Sequence, residues 1–249
     1  DTEHTDKVHK KLTYPFSKAI ITPSSYQNNL GNKHIRINCF IESFYLNSNY
    51  YKPNSSILYK LNVNKSEKYV ILRFVSWEAF HDVNQYGLTL NQKKEIISLF
   101  EDKNFRVFIS SENEIDNEFE KYKINITPDE MHDALSFASF FLGESGTMAS
   151  ESALLGVPTI YINSLPLMCY LKVEQENGLL KHFKSGDGVL EYLKKYLTYK
   201  DLTRRVKNQR DHMIKDFIDP TNFLIWFVEN WPTSMDIMKN NPEYQDQFK

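Results

Sequence analysis

Apolar residues in this chain fall in short dense runs separated by stretches of helical spacing. Tyr69-Val70-Ile71-Leu72-Arg73-Phe74 and Phe105-Arg106-Val107-Phe108-Ile109 are nearly continuous apolar runs of strand length. Such runs mark strands buried on both faces of a parallel sheet. Phe141-Leu142 enters a polar turn holding Gly143 and Gly146; a short helix follows and stops at Gly156, and a second buried strand, Val157 to Ile162, begins at once. Between these runs the period changes. Thr89-Leu90-Asn91-Gln92 has capping-box spacing and leads to Ile96, Ile97, Leu99 and Phe100 on one helical face. Thr127-Pro128-Asp129-Glu130 starts another helix, running to Ala138, with Thr as N-cap and Pro at the first helical position. Further helices are expected over Val173 to Leu180, over Val189 to Leu197, from Asp201, and from Asp219-Pro220 to Asn230-Trp231-Pro232. Ile124 and Ile126 suggest one more short strand.

The first part of the chain is sparser. Residues up to about 20 read as a solvated end. Ala19 to Pro23 and Ile35 to Phe40 read as strands, and Asn28 to Asn32 as a turn. Asn47 to Ser66, with many Asn, Ser and Tyr, reads as a crossing between domains, and the stretch from Ser234 as a polar, poorly ordered tail. The alternation of strands and helices predicts an α/β fold with a parallel sheet covered by helices on both faces. Ligands of such sheets bind beyond the C-terminal ends of the strands. Val75 to Leu88, Ser110 to Glu112, Gly143 to Thr147 and Asn163 to Pro166 all follow strands and are expected along that edge.

Composition narrows the function classes. The 249 residues carry a net charge of -2, which argues against a general nucleic-acid binder. No apolar run approaches the roughly 20 residues that span a bilayer. Two cysteines make neither a disulfide framework nor a zinc site, and a cytoplasmic location is expected. There is no Walker A loop, no Gly-x-Ser-x-Gly elbow and no His-Glu-x-x-His, so ATPase, serine-hydrolase and zinc-protease readings lack support. Neither metal nor cofactor is called for. The 15 Tyr and 17 Phe are spread over core positions and do not form a base-stacking surface.

The turn after Phe141-Leu142 concentrates the candidate chemistry. Amides at a helix N-terminus attract anions, and glycine lets a phosphate come close. Ser145, Gly146 and Thr147 could hold phosphates there; Glu151, one turn after Thr147, could accept from a ribose diol. The plain alternative is a capped helix with an exposed Glu. Glu144 could meet a substrate hydroxyl or face solvent. Arg73 ends a buried strand, where a lone charge is costly, so it should meet a carboxylate or a phosphate. His81 beside Asp82 offers an imidazole that titrates near neutrality. Ser110, Ser111 and Glu112 could touch a base or sugar, or simply form a polar turn. His132, on the helix after the second capping box, could point into the cleft, but the plainer expectation is the surface or the edge of the core.

Gly143-x-Ser145-Gly146-Thr147-x-x-x-Glu151-x-x-x-Leu155-Gly156-x-Pro158 resembles the nucleotide-binding segment of GT-B glycosyltransferases and of non-hydrolysing UDP-N-acetylglucosamine 2-epimerases. A closer resemblance is to an uncharacterised family of archaeal and bacterial epimerase-like proteins associated with surface-polysaccharide genes. It is carried also by Asp1-Thr2-Glu3, Ile21-Thr22-Pro23, Glu42 to Leu46, Arg73 to Asp82 and Ser110-Ser111-Glu112, and so covers nearly the whole chain.

The resemblance implies a GT-B-like fold: a remnant of an N-terminal Rossmann-like domain over 1–46, a crossing over 47–66, a nucleotide-sugar-binding domain over 67–232 and a tail over 233–249. The chain would then be a fragment of a longer protein. It implies a UDP-sugar as ligand, no nucleic acid, and a reaction that is either epimerisation or glycosyl transfer; a homodimer stays open. Ser145, Gly146 and Thr147 would hold the diphosphate and Glu151 the ribose. Arg73 and His81 would stabilise the leaving UDP, with Asp82 beside the imidazole. Asp1 or Glu3 would supply acid–base chemistry at the sugar. The alternative is a module of the same fold that binds a nucleotide sugar or a partner without turnover.

Overall fold

The computed structural model describes residues 6–75, 87–111 and 117–249. Its chain divides into two compact units. One gathers the described residues of Asp1–Tyr51 with Met168–Val173 and His212–Lys249; the other comprises Lys52–Leu167 and Glu174–Asp211.

The larger unit is built on five parallel strands: β3 (Lys68–Phe74), β4 (Phe105–Ser111), β5 (Phe140–Gly143), β6 (Thr159–Ile162) and β7 (Leu180–Phe183), in the order β4-β3-β5-β6-β7. Tyr69, Val70, Ile71 and Leu72 are all buried, as are all four residues of β5 and of β6. Burial on both faces explains why these strands read as unbroken apolar runs. One face carries Val70, Leu72, Val107, Ile109, Phe140 and Ile160, packed against Ile96, Ile97 and Phe100 of α4 (Leu90–Asp102) and Val189 and Leu193 of α8 (Val189–Tyr196). Tyr69 closes the other side by donating its hydroxyl to Ala134 O at 2.5 Å. Ala134 lies on α5 (Met131–Phe137), and α6 (Gly146–Leu154) buries Ala149, Ser150, Ser152 and Ala153, small residues that allow close packing.

The remaining helices of this unit are the short α3 (Ser56–Lys60) and parts of α7 (Cys169–Glu176) and α9 (Leu202–Ile214). Both capping boxes form: Thr89 with Gln92, and Thr127 with Glu130. Two expectations fail here. Ile124 and Ile126 belong to no strand; Lys123 makes an isolated bridge to Ile109 after a 3₁₀ helix at Asn117–Tyr122. The helix read over 173–180 ends at Glu176, and Leu180 opens β7.

The smaller unit holds a two-stranded parallel sheet, β1 (Ile20–Pro23) and β2 (His34–Ile37), with α1 (Asp6–Leu12) and α2 (Ser43–Leu46). Ile35, Ile37 and Cys39 pack with Ile218, with Phe223 and Phe227 of α10 (Pro220–Glu229) and with Met235 and Met238 of α11 (Thr233–Asn240). Asp219 caps α10, accepting from Thr221 N and Asn222 N, and receives the Tyr50 hydroxyl at 2.6 Å. The stretch from Ser234 is therefore not a loose tail. It forms α11 and a 3₁₀ helix at Pro242–Phe248, and Phe248 packs edge-on against Phe223 and at a tilt against Trp226.

Candidate functional site

In the larger unit the chain leaves β3 toward β4 on one side and returns to β5 on the other. In open α/β sheets such a reversal of strand order opens a crevice beyond the strand ends. Arg73 sits there, in register with Ser110 of β4 and Gly143 of β5. Its Nη1 donates to Ser110 Oγ at 2.9 Å. Gly143 is required by this approach: a Cβ would lie 2.8 Å from Arg73 Cβ and 3.0 Å from its carbonyl oxygen.

A cleft of about 510 Å³ opens at this edge. Its lining includes the polar and charged residues Arg73, Ser110, Ser111, Lys123, Thr127, His132 and Glu151 and the apolar Ile124, Ile126, Met131 and Met148. From α6 it is Met148 and Glu151 that reach the cleft. Ser145 caps that helix, its Oγ accepting from Met148 N at 3.4 Å, and Gly146 and Thr147 form the first turn, with Thr147 exposed. The structure thus brings Arg73, Ser110, Ser111 and Glu151 to one cleft, with Ser145, Gly146 and Thr147 on the same helix end as Glu151.

Glu144 has a task that sequence reading did not foresee. It is 1% exposed, and its two carboxylate oxygens accept from Val75 N at 3.0 Å and Leu88 N at 2.7 Å. It does not face solvent; it joins Val75, just after β3, to Leu88, just before α4. His81 and Asp82 lie outside the described residues, as do Asp1, Glu3 and Glu112. Asn163 is also taken up internally, donating to Glu144 O at 3.4 Å and accepting from Leu165 N at 2.9 Å.

His132, for which the surface or core edge was the plainer expectation, lines the cleft. Its Nε2 lies 3.0 Å from Glu151 Oε1. That hydrogen bond raises the imidazole above its ordinary value of 6.5, against the opposing effect of burial. Nothing in the local pattern marks this pair, because the partners are 19 residues apart on different helices. Lys123 likewise adds a cation that motif reading had not named. Among the described residues no group of three His, Cys, Asp or Glu side chains could hold a metal ion, and no helix is long and apolar enough to cross a membrane.

Two solved structures share this architecture. The UDP co-structure of MnaA from S. aureus has 13% sequence identity and a TM-score of 0.55, over 83% of this chain and 60% of that one. A crystal structure of a UDP-N-acetylglucosamine 2-epimerase gives 16% and 0.56, over 84% and 58%. At such identities the likeness establishes the fold, which is α/β and GT-B-like with parallel sheets. An uncharacterized protein of Methanocaldococcus jannaschii is 28% identical over 204 residues, and the chain spans 58% of that relative's length. Residues 1–229 match a family described as "Protein of unknown function (DUF354)", and the chain belongs to that family.

Proposed function

We propose that this chain binds a nucleoside diphosphate sugar, with UDP as the nucleotide, and contributes the nucleotide half of a sugar epimerase or glycosyltransferase acting in surface-polysaccharide synthesis. The observation that carries the reading is the cleft at the strand reversal, where Glu151 stands one turn beyond the start of α6 and Arg73 ends β3. Helix-end amides at Gly146 and Thr147, with the Thr147 hydroxyl, suit phosphate oxygens. Arg73 and Lys123 add positive charge to the same cleft. Glu151 suits the ribose hydroxyls, and Ile124, Ile126 and Met131 offer apolar surface to a base. The fold shared with a structure solved with UDP and with a UDP-sugar epimerase supports the choice of nucleotide.

The chemistry expected here is departure of the sugar's anomeric carbon from UDP. Negative charge grows on the diphosphate as the C–O bond breaks, and prepositioned cations and amides stabilise it. In this reading His81 adds to that charge, Asp82 orients it, Ser110, Ser111 and Glu112 contact the base or sugar, and Glu3 serves as acid or base.

Calorimetric titration with UDP tests the reading. Saturable binding that weakens at least tenfold in a folded Glu151→Gln variant is expected. Absence of binding, both in this chain and in a longer form matching its relatives' full length, would refute it. Binding without turnover of any UDP-sugar by the longer form would leave a nucleotide-sugar-binding module in place of an enzyme.

A further inference from the structure

The nucleotide reading leaves one contact without a purpose. A carboxylate intended for hydroxyl groups is already hydrogen-bonded to a histidine on the wall of the same cleft. Glu151 Oε1 lies 3.0 Å from His132 Nε2; the Glu151 side chain is 10% exposed and that of His132 29%. Arg73 and Lys123 in the same cleft favour an anionic ligand, whereas a buried carboxylate there opposes one.

We propose that His132 is a positioning residue of this site and couples it to protons: it fixes the Glu151 carboxylate through Nε2 and, when charged, offsets that carboxylate's repulsion of the ligand's phosphates. The proposal rests on the nucleotide reading. His132 has the anchoring such a role needs. It lies in the second position of α5, directly behind a capping box at Thr127 and Glu130, and its carbonyl accepts the Ser136 hydroxyl at 2.8 Å. The ring is therefore carried by a helix whose start is fixed, facing α6 rather than a loop.

The sign of the coupling follows from the charges. With His132 neutral, the pair presents a net negative charge to a diphosphate; with His132 protonated, the pair is neutral. Ligand binding therefore favours the protonated form, and affinity falls as pH rises through the imidazole's titration. Besides Glu151, the charged group acting on the ring is Asp133 on its own helix; Asp129 and Glu130, the latter held by Lys60 of α3, lie in the turn before that helix, and Arg73 and Lys123 line the same cleft. No second imidazole lines the cleft among the described residues.

The test is calorimetry with UDP-N-acetylglucosamine, whose phosphates do not titrate in this range, at pH 6.0, 7.0, 8.0 and 8.5, in two buffers of different ionisation enthalpy. Wild-type affinity should fall severalfold across the range, by up to about tenfold for each unit by which binding raises the imidazole's pKa, with proton uptake visible in the buffer comparison. His132→Gln keeps a side-chain donor but cannot titrate, so its affinity should be flat with pH and match wild type best at the alkaline end. His132→Phe, lacking the donor, should bind more weakly than the Gln variant at every pH. A wild type that is flat, or a Gln variant that keeps the wild-type slope, overturns the role of His132 while leaving the nucleotide reading intact. Absence of binding by wild type at every pH, in this chain and in the longer form alike, overturns both.

Discussion

Replacing Glu144 should release the hold between Val75 and Leu88 and destabilise the larger unit without touching its sheet. Its carboxylate is buried and accepts two backbone N–H groups, one just after β3 at Val75 and one just before α4 at Leu88. Hydrogen bonds to a charged group contribute about 1.5–3 kcal/mol each, and a buried donor left without its acceptor loses roughly 1–3 kcal/mol. The Leu88 bond is buried and takes the upper part of that range; the Val75 bond is only partly buried and takes the lower. Removing a buried carboxylate also relieves its own desolvation cost, which offsets part of the loss. Glu144→Ala should therefore lower stability by about 2–4 kcal/mol. Glu144→Gln should fall between, because the amide supplies one acceptor and turns a donor toward the second N–H. The assay is urea unfolding of the three proteins, paired with hydrogen exchange at the Val75 and Leu88 amides. Both amides should exchange faster in the Ala variant while those of β3 remain protected. An Ala variant within about 0.5 kcal/mol of wild type, with unchanged exchange at the two amides, would refute the tie.

Three further outcomes are expected. Gly143→Ala forces a Cβ to within 2.8 Å of Arg73 Cβ and should destabilise by about 1–3 kcal/mol, read by thermal unfolding, with weaker UDP binding if Arg73 is displaced. Asp219→Ala removes the cap of α10 and the acceptor for Tyr50 and should cost about 1–3 kcal/mol, whereas Asp219→Asn keeps a capping side chain and should cost less; denaturant midpoints decide between them. Burial, with Glu42 nearby, pushes the Cys39 thiol up to about 12. A disulfide reagent at pH 8 should then modify native Cys39 on the order of a thousandfold more slowly than a free thiol, and normal-rate labelling of the native protein would contradict the buried placement.

How far the chain could be read before its structure was seen depended on where each signal was stored. β3, β4, β5 and β6 are buried on both faces, so each announces itself as an apolar run. The capping boxes at Thr89 and Thr127 and the Asp219-Pro220 start are complete within four residues. β7 was missed because it is an edge strand of sequence Leu-Lys-His-Phe, buried at Leu180 but not beyond. α11 was missed because its buried side is narrow, Ser234, Met235 and Met238, within an otherwise polar stretch. At the site, Arg73 and Glu151 could be named because strand end and helix spacing are local features. The tasks of Glu144 and His132 could not, since the first depends on amides 69 and 56 residues away and the second on a carboxylate 19 residues on.

The core of the smaller unit draws on residues from opposite ends of the chain, Ile35 and Ile37 with Phe223, Phe227, Met235 and Met238. On a ribosome these partners emerge far apart in time. At about 5–20 residues per second, Ile37 waits roughly 10–40 s for Met238. All five strands of the larger unit are synthesised within that interval, since β7 ends at Phe183. The nascent chain thus carries a sheet able to form early and, upstream of it, an apolar segment still without its cover. A transcript cut short after β7 would yield a protein that keeps all five strands of the larger unit but lacks the Phe223, Phe227, Met235 and Met238 that pack on Ile35, Ile37 and Cys39, a substrate for chaperones and proteases.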